Sequence, residues 1–188
     1  MRQICLNLCG GSSPLDESYI STIIDRSGML FETVMVSVKL PYWRPQHEKS
    51  QDQDIALGHR GGIGNDVVAV FDPYIAIFQW LHESGVEKIF TVEVDDTGPD
   101  PHTNSAIRQS LRGSTFQDKF SRDFKIEVWK WKKFDICSET IVDAAPMAKE
   151  VHLYSSGNTA VLRSWACSSG LPKLGEVCDE IGYQTCLS

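Results

Sequence analysis

The chain has 188 residues, a formal charge of −7 and a pI near 5.2. That length suits one domain, and 41% hydrophobic with 10% aromatic residues is enough for a packed core, which excludes global disorder. The surplus of Asp and Glu argues against a nucleic-acid partner, which needs Lys and Arg to neutralise phosphates.

The first residues hold Ile4, Leu6 and Leu8, but Asn7 and the glycines that follow interrupt the run, which is too short for a signal-peptide core. No later apolar stretch approaches the roughly 18–20 residues that span a bilayer, so no membrane association is expected. The expected location is cytoplasmic. The cysteines (Cys5, Cys9, Cys137, Cys167, Cys178 and Cys186) form no C-x-x-C pair and fit no zinc spacing, and reduced thiols suit that compartment. Cys137 and Cys167 flank predicted helices and read as small core thiols.

Residues 1–64 read as an irregular region with one strand at 31–40. Alternation there puts Phe31, Thr33, Met35 and Ser37 on one face and Val34, Val36 and Val38 on the other, and Pro41 stops the run. Residues 43–64 are polar and Gly-rich and read as a mobile loop. Within them Gly58-His59-Arg60-Gly61-Gly62-Ile63-Gly64 has the composition of a phosphate loop but neither the preceding strand nor the following helix, so a linker is the better reading.

An α/β domain is expected over 65–174. Asp72 as cap with Pro73 at the first helical position opens a helix that Gly85 stops. Tyr74, Ile75, Ile77, Phe78, Trp80 and Leu81 make it apolar over most of its circumference, so it must lie against a sheet. Strands are expected at 86–95, 124–131 and 150–154. Helices are expected at 104–111 with Asn104 or Thr103 as cap, from Ser138 as cap to Ala145-Pro146, and after Gly157-Asn158. Strands separated by single helices predict a mainly parallel sheet, because parallel neighbours need a crossover. The architecture is therefore α/β, either Rossmann-like or loosely leucine-rich-repeat-like, with unit spacing that shortens along the chain. Residues 175–188 read as a tail.

No catalytic set emerges. Asp96-Thr97-Gly98 follows an apolar strand as protease aspartates do, but an aspartic protease needs a second facing carboxylate and a subtilisin-type triad needs His-Gly-Thr and Gly-Thr-Ser segments, none of which occurs. A strand-end turn is the better reading. The histidines His47, His59, His82, His102 and His152 never stand at the i, i+4 spacing of a helical metal pair, and no metal or cofactor is expected. Ser155-Ser156-Gly157-Asn158 lacks the nucleophile elbow and reads as turn and cap. In Trp129-Lys130-Trp131-Lys132 the tryptophans share one strand face and the lysines the other. The tryptophans are expected in the core. If their face were open, Trp129, Lys130, Trp131, Lys132 and the sheet-face residue His152 would form a protein-contact surface.

Several segments in order carry a family resemblance: IFQWL at 77–81, GVEKI at 85–89, VDD at 94–96, VWKWKKFDICS at 128–138, AAP at 144–146, EVHLYSSGN at 150–158 and AVLRSW at 160–165. Together, over about 34–174, they resemble the region preceding the protease domain in fungal intracellular subtilisin-like (peptidase S8 family) proteins. The resemblance implies a non-catalytic accessory or interaction module, with the serine endopeptidase triad in a later domain. No catalytic residue carries over. The implied partner is a protein, or a protease domain in cis. Residues 175–188 (GEVCDEIGYQTCLS) depart from that pattern, which leaves a truncated chain, the front portion of an endopeptidase and a free-standing recognition module all open.

Overall fold

A computed structural model describes residues 4–10, 17–26, 32–43, 72–113 and 122–175. The loop expected at 43–64 lies outside the described residues from residue 44 onwards, as do its glycine cluster, Cys178 and Cys186. Five strands form one sheet: β1 (Cys5–Asn7), β2 (Val34–Leu40), β3 (Lys88–Asp95), β4 (Val128–Lys132) and β5 (Glu150–Val151). Every pairing is parallel and the spatial order is the chain order. Between them run α1 (Glu17–Arg26), α2 (Pro73–Glu83), α3 (Asn104–Arg112) and α4 (Ser138–Ala144). Then α5 (Thr159–Ala166) and a 3-10 turn (Leu171–Lys173) follow β5. The expected α/β architecture with a mainly parallel sheet is met, and every pairing in the sheet is parallel.

Local chemistry explains the helix boundaries. The Asp72 carboxylate accepts from the N–H groups of Tyr74 (2.9 Å) and Ile75 (3.2 Å), Pro73 fills the first position, and Gly85 takes φ +91° after the end. Thr103, not Asn104, caps α3 by accepting from Ala106 N. Asn158 caps α5 through its side-chain oxygen to Ala160 N at 3.0 Å. Ser138 is the first helical residue rather than the cap. Cys137 holds the cap position without a side-chain bond, and Glu139 faces the N-terminal dipole.

Two expectations change. The region before residue 65 is not irregular throughout: β1 extends the sheet beside β2, and α1 packs beside α2 with Ile20 buried. Strict alternation also fails in β2. Met35 and Val38 are both buried, although alternation puts them on opposite faces. The reason is a shared phase. Met35-x-x-Val38-x-Leu40, Ile89-x-x-Val92-x-Val94, Ile126-x-x-Trp129-x-Trp131 and Ala148-x-x-Val151-x-Leu153 each run in, out, out, in, out, in, and all the inward residues are buried. Register stacks them into rows: Leu6, Val38, Val92, Trp129 and Val151 in one, Leu40, Val94 and Trp131 in the next. This is the L-x-x-L-x-L phase of leucine-rich repeats.

Topology then decides where the helices lie. Right-handed crossovers in a sheet whose order never reverses place every helix on the same face. Accordingly α1, α2, α3 and α4 pack each against the next as one layer. The core fills the gap between that layer and the sheet. Trp129 and Trp131 stack at 5.6 Å there, and Tyr74 of α2 meets Trp131 edge-on at 5.8 Å.

Candidate interaction face

Two polar constellations stand out. The first is a buried hub at the carboxyl end of β3. Asp96 accepts from the His102 backbone N–H (3.0 Å), from His102 Nδ1 (2.9 Å) and from the Trp131 indole N–H (3.0 Å). A carboxylate only accepts, so His102 donates to it through Nδ1. Its Nε2 then points towards the Asp72 carboxylate at 3.7 Å, too long for a hydrogen bond. Burial pushes the Asp72 carboxyl up, with His102 and the α2 N–H groups pulling it back. Burial likewise raises the Tyr74 hydroxyl, which donates to the Pro41 carbonyl at 2.8 Å and ties the ends of β2 and α2 together. The His102 ring packs tilted against Tyr74, with centroids 4.4 Å apart.

Among the described residues this hub has an acid and an imidazole but no nucleophile. Among the described residues no serine, threonine or cysteine side chain hydrogen-bonds to His102. Asp96-Thr97-Gly98 does form a strand-end turn: Thr97 donates its N–H and hydroxyl to Asp95, and Gly98 lies so close to the Tyr42 ring that a Cβ would sit 1.9 Å from it. Asp96, however, faces inward as a structural acceptor. Ser155 and Ser156 donate to the carboxylate of Asp135, whose φ of +53° Asp tolerates, so that segment is a turn fixed to the end of β4.

The second constellation is the sheet face that the helices leave open. Trp129 and Trp131 take no part in it; both are 0% exposed and point into the core. Lys130, Lys132 and His152 do lie on it, and the structure joins them to residues from three other strands. Glu93 sits between Lys39 (3.0 Å) and Lys132 (3.7 Å). Glu150 sits between Lys130 (3.6 Å) and His152 (2.5 Å). Glu127 pairs with Lys88 and with Lys149 (3.4 Å). The hydrogen bond from Lys39 holds Glu93 below the usual carboxylate range, His152 does the same for Glu150, and Lys88 for Glu127. Phe90 lies on this face 37% exposed, with the Lys88 ammonium 4.3 Å from its ring centre and half-buried Val36 and Val128 on the adjoining strands.

Sequence reasoning missed Lys39, Glu93, Phe90, Glu127 and Glu150. Their signal was the doubled outward step of the shared phase, which turns Phe90 and Glu127 outwards. The core-thiol expectation for Cys167 is corrected: it is exposed at the end of α5, where Ser169 lowers its thiol, while Cys137 is half-buried. Among the described residues no cluster of His, Cys, Asp and Glu is placed to hold a metal, and no helix is long and apolar enough to cross a membrane.

A sheet whose strand order reverses offers a ligand crevice at the reversal point. Among the described residues the strand order has no reversal, so the sheet offers no such crevice there. Comparison with protein-family models, with curated proteins and with solved structures finds no match.

Proposed function

We propose that this chain is a non-catalytic recognition module that binds a protein partner through the open face of its parallel sheet. One observation carries the reading: half-exposed charges and an exposed aromatic from neighbouring strands share a single face opposite the helix layer. Exposed ion pairs of this kind add only about 0–1 kcal/mol each to stability, so folding alone gives little reason for such a lattice. Interfaces, in contrast, combine an apolar centre with a charged rim. The resemblance to the region ahead of subtilisin-like protease domains supplies the context, a protease domain in cis or a protein that such an enzyme meets.

The enzyme alternative makes the chain the front portion of a serine endopeptidase whose Asp/His/Ser triad lies downstream, which His-Gly-Thr and Gly-Thr-Ser motifs in the downstream coding DNA would support. Catalysis by this chain itself is tested separately. Purified chain treated with a fluorophosphonate probe and with fluorescent casein should show no labelled serine and no hydrolysis. Stoichiometric labelling of one serine, lost on its change to Ala while the thermal melt is unmoved, would overturn the non-catalytic reading.

A further inference from the structure

We infer that Asp72 and His102 hold one proton between them, which makes the buried hub a pH-sensitive latch joining the start of α2 to the segment that enters α3. Asp72 Oδ1 accepts from both the Tyr74 and the Ile75 N–H, so Oδ2 is the oxygen turned towards His102. His102 Nδ1 is committed to Asp96 at 2.9 Å, and among the described residues its buried Nε2 has no hydrogen-bond partner. The His102 and Asp72 side chains are only 7% and 17% exposed, so water offers them little compensation. A bare imidazole lone pair 3.7 Å from a carboxylate sets two acceptors against each other, an arrangement that burial makes costly. One proton on either atom turns the contact into a donor and an acceptor. Closing it to hydrogen-bond length then takes a shift of about 0.5–1 Å.

The surrounding groups favour the same proton. β3 presents Asp96 and Asp95, and α2 presents the Tyr74 hydroxyl beside its cap Asp72. β4 adds the Trp131 indole N–H, already given to Asp96, and Trp43 after β2 has its ring centre 6.0 Å from that of His102. Without the proton, two carboxylates flank a neutral imidazole. With it the cluster carries one negative charge fewer, the state that a buried site favours. Burial pushes the Asp72 carboxyl up, in the same direction. The proton belongs to the pair rather than to one residue. An unfolded chain gives up the later of the two protons near pH 6.5, where a free imidazole titrates, whereas the folded pair keeps one. The stability it contributes is therefore complete below about pH 6.5 and is lost as pH rises until the proton leaves the folded pair.

The test follows amide hydrogen exchange in the full chain between about pH 6.5 and 8.5, as protection factors corrected for intrinsic exchange. The reporters are the Tyr74 and Ile75 amides, held by Asp72, and the His102 amide, held by Asp96. Across that range their protection should fall about tenfold or more in the wild type. Asp72→Asn keeps a good helix cap and offers an amide N–H to Nε2 with nothing to titrate, so its protection should stay level. His102→Gln removes the titrating ring and should level the profile too, which keeps the test decisive if one variant folds poorly. A level wild-type profile, or a fall of equal size in both variants, would overturn the inference. So would a rise in protection at these amides on adding zinc that a chelator reverses, since the gap would then hold a cation in place of a proton.

Discussion

Asp96 shows how one side chain can hold several elements at once. It ends β3, receives the backbone and ring of His102 ahead of α3, and takes the indole N–H of Trp131 on β4. Removing it leaves those donors buried without an acceptor, and each orphaned group costs about 1–3 kcal/mol. Asp96→Ala should therefore lower the unfolding free energy by about 3 kcal/mol or more in urea titrations. Asp96→Asn, which keeps an acceptor oxygen, should lose less. A loss below about 1 kcal/mol in Asp96→Ala would contradict the hub. Sequence pattern marked this triplet as a turn, which it is, but gave no sign that the first residue of the turn faces inward. That requires knowing that Trp131 and His102 converge on it from positions distant in sequence.

At the scale of elements, capping was legible and phase was not. Asp72-Pro73, Gly85 and Asn158 announced helix ends because each acts on backbone groups within a few residues. The buried rows were hidden because the in, out, out, in spacing breaks strict alternation, so Met35 was assigned to the face opposite Val38. β1 is only three residues long, too short for its own periodicity to speak, and it is defined by its pairing with β2. The outward rows lead to a pH prediction. Glu93, Glu127 and Glu150 have folded-state pKa values below their unfolded values. The stability they contribute is complete above the unfolded value, about 4.3, and is lost as pH falls through the lower folded values. Denaturation curves of the wild type should thus weaken below about pH 4.3, and the triple change Glu93→Gln, Glu127→Gln and Glu150→Gln should flatten that decline. An unchanged pH profile in the triple variant would contradict the pairing.

For the whole molecule, the decisive property is that strand order equals chain order. Alternating helix and strand signals were enough to read a parallel sheet from the sequence, but they do not say in which order the strands lie side by side. Order comes from which hydrophobic rows stack, and Val38, Val92, Trp129 and Val151 reveal that only in register. From the order follow the single helix layer, the open face, and the separation of Trp129 and Trp131 from Lys130 and Lys132. The lysines remained part of a surface; the tryptophans hold the two layers together.

Cross-linking of the chain to its partner in cell extract, with a lysine-reactive reagent and mass-spectrometric mapping, tests the open face most directly. The links should fall on Lys39, Lys130 and Lys132 and disappear in Phe90→Ser, which still presents those amines. Links concentrated on Lys173, beside the helix layer, or unchanged by Phe90→Ser, would contradict recognition through this face.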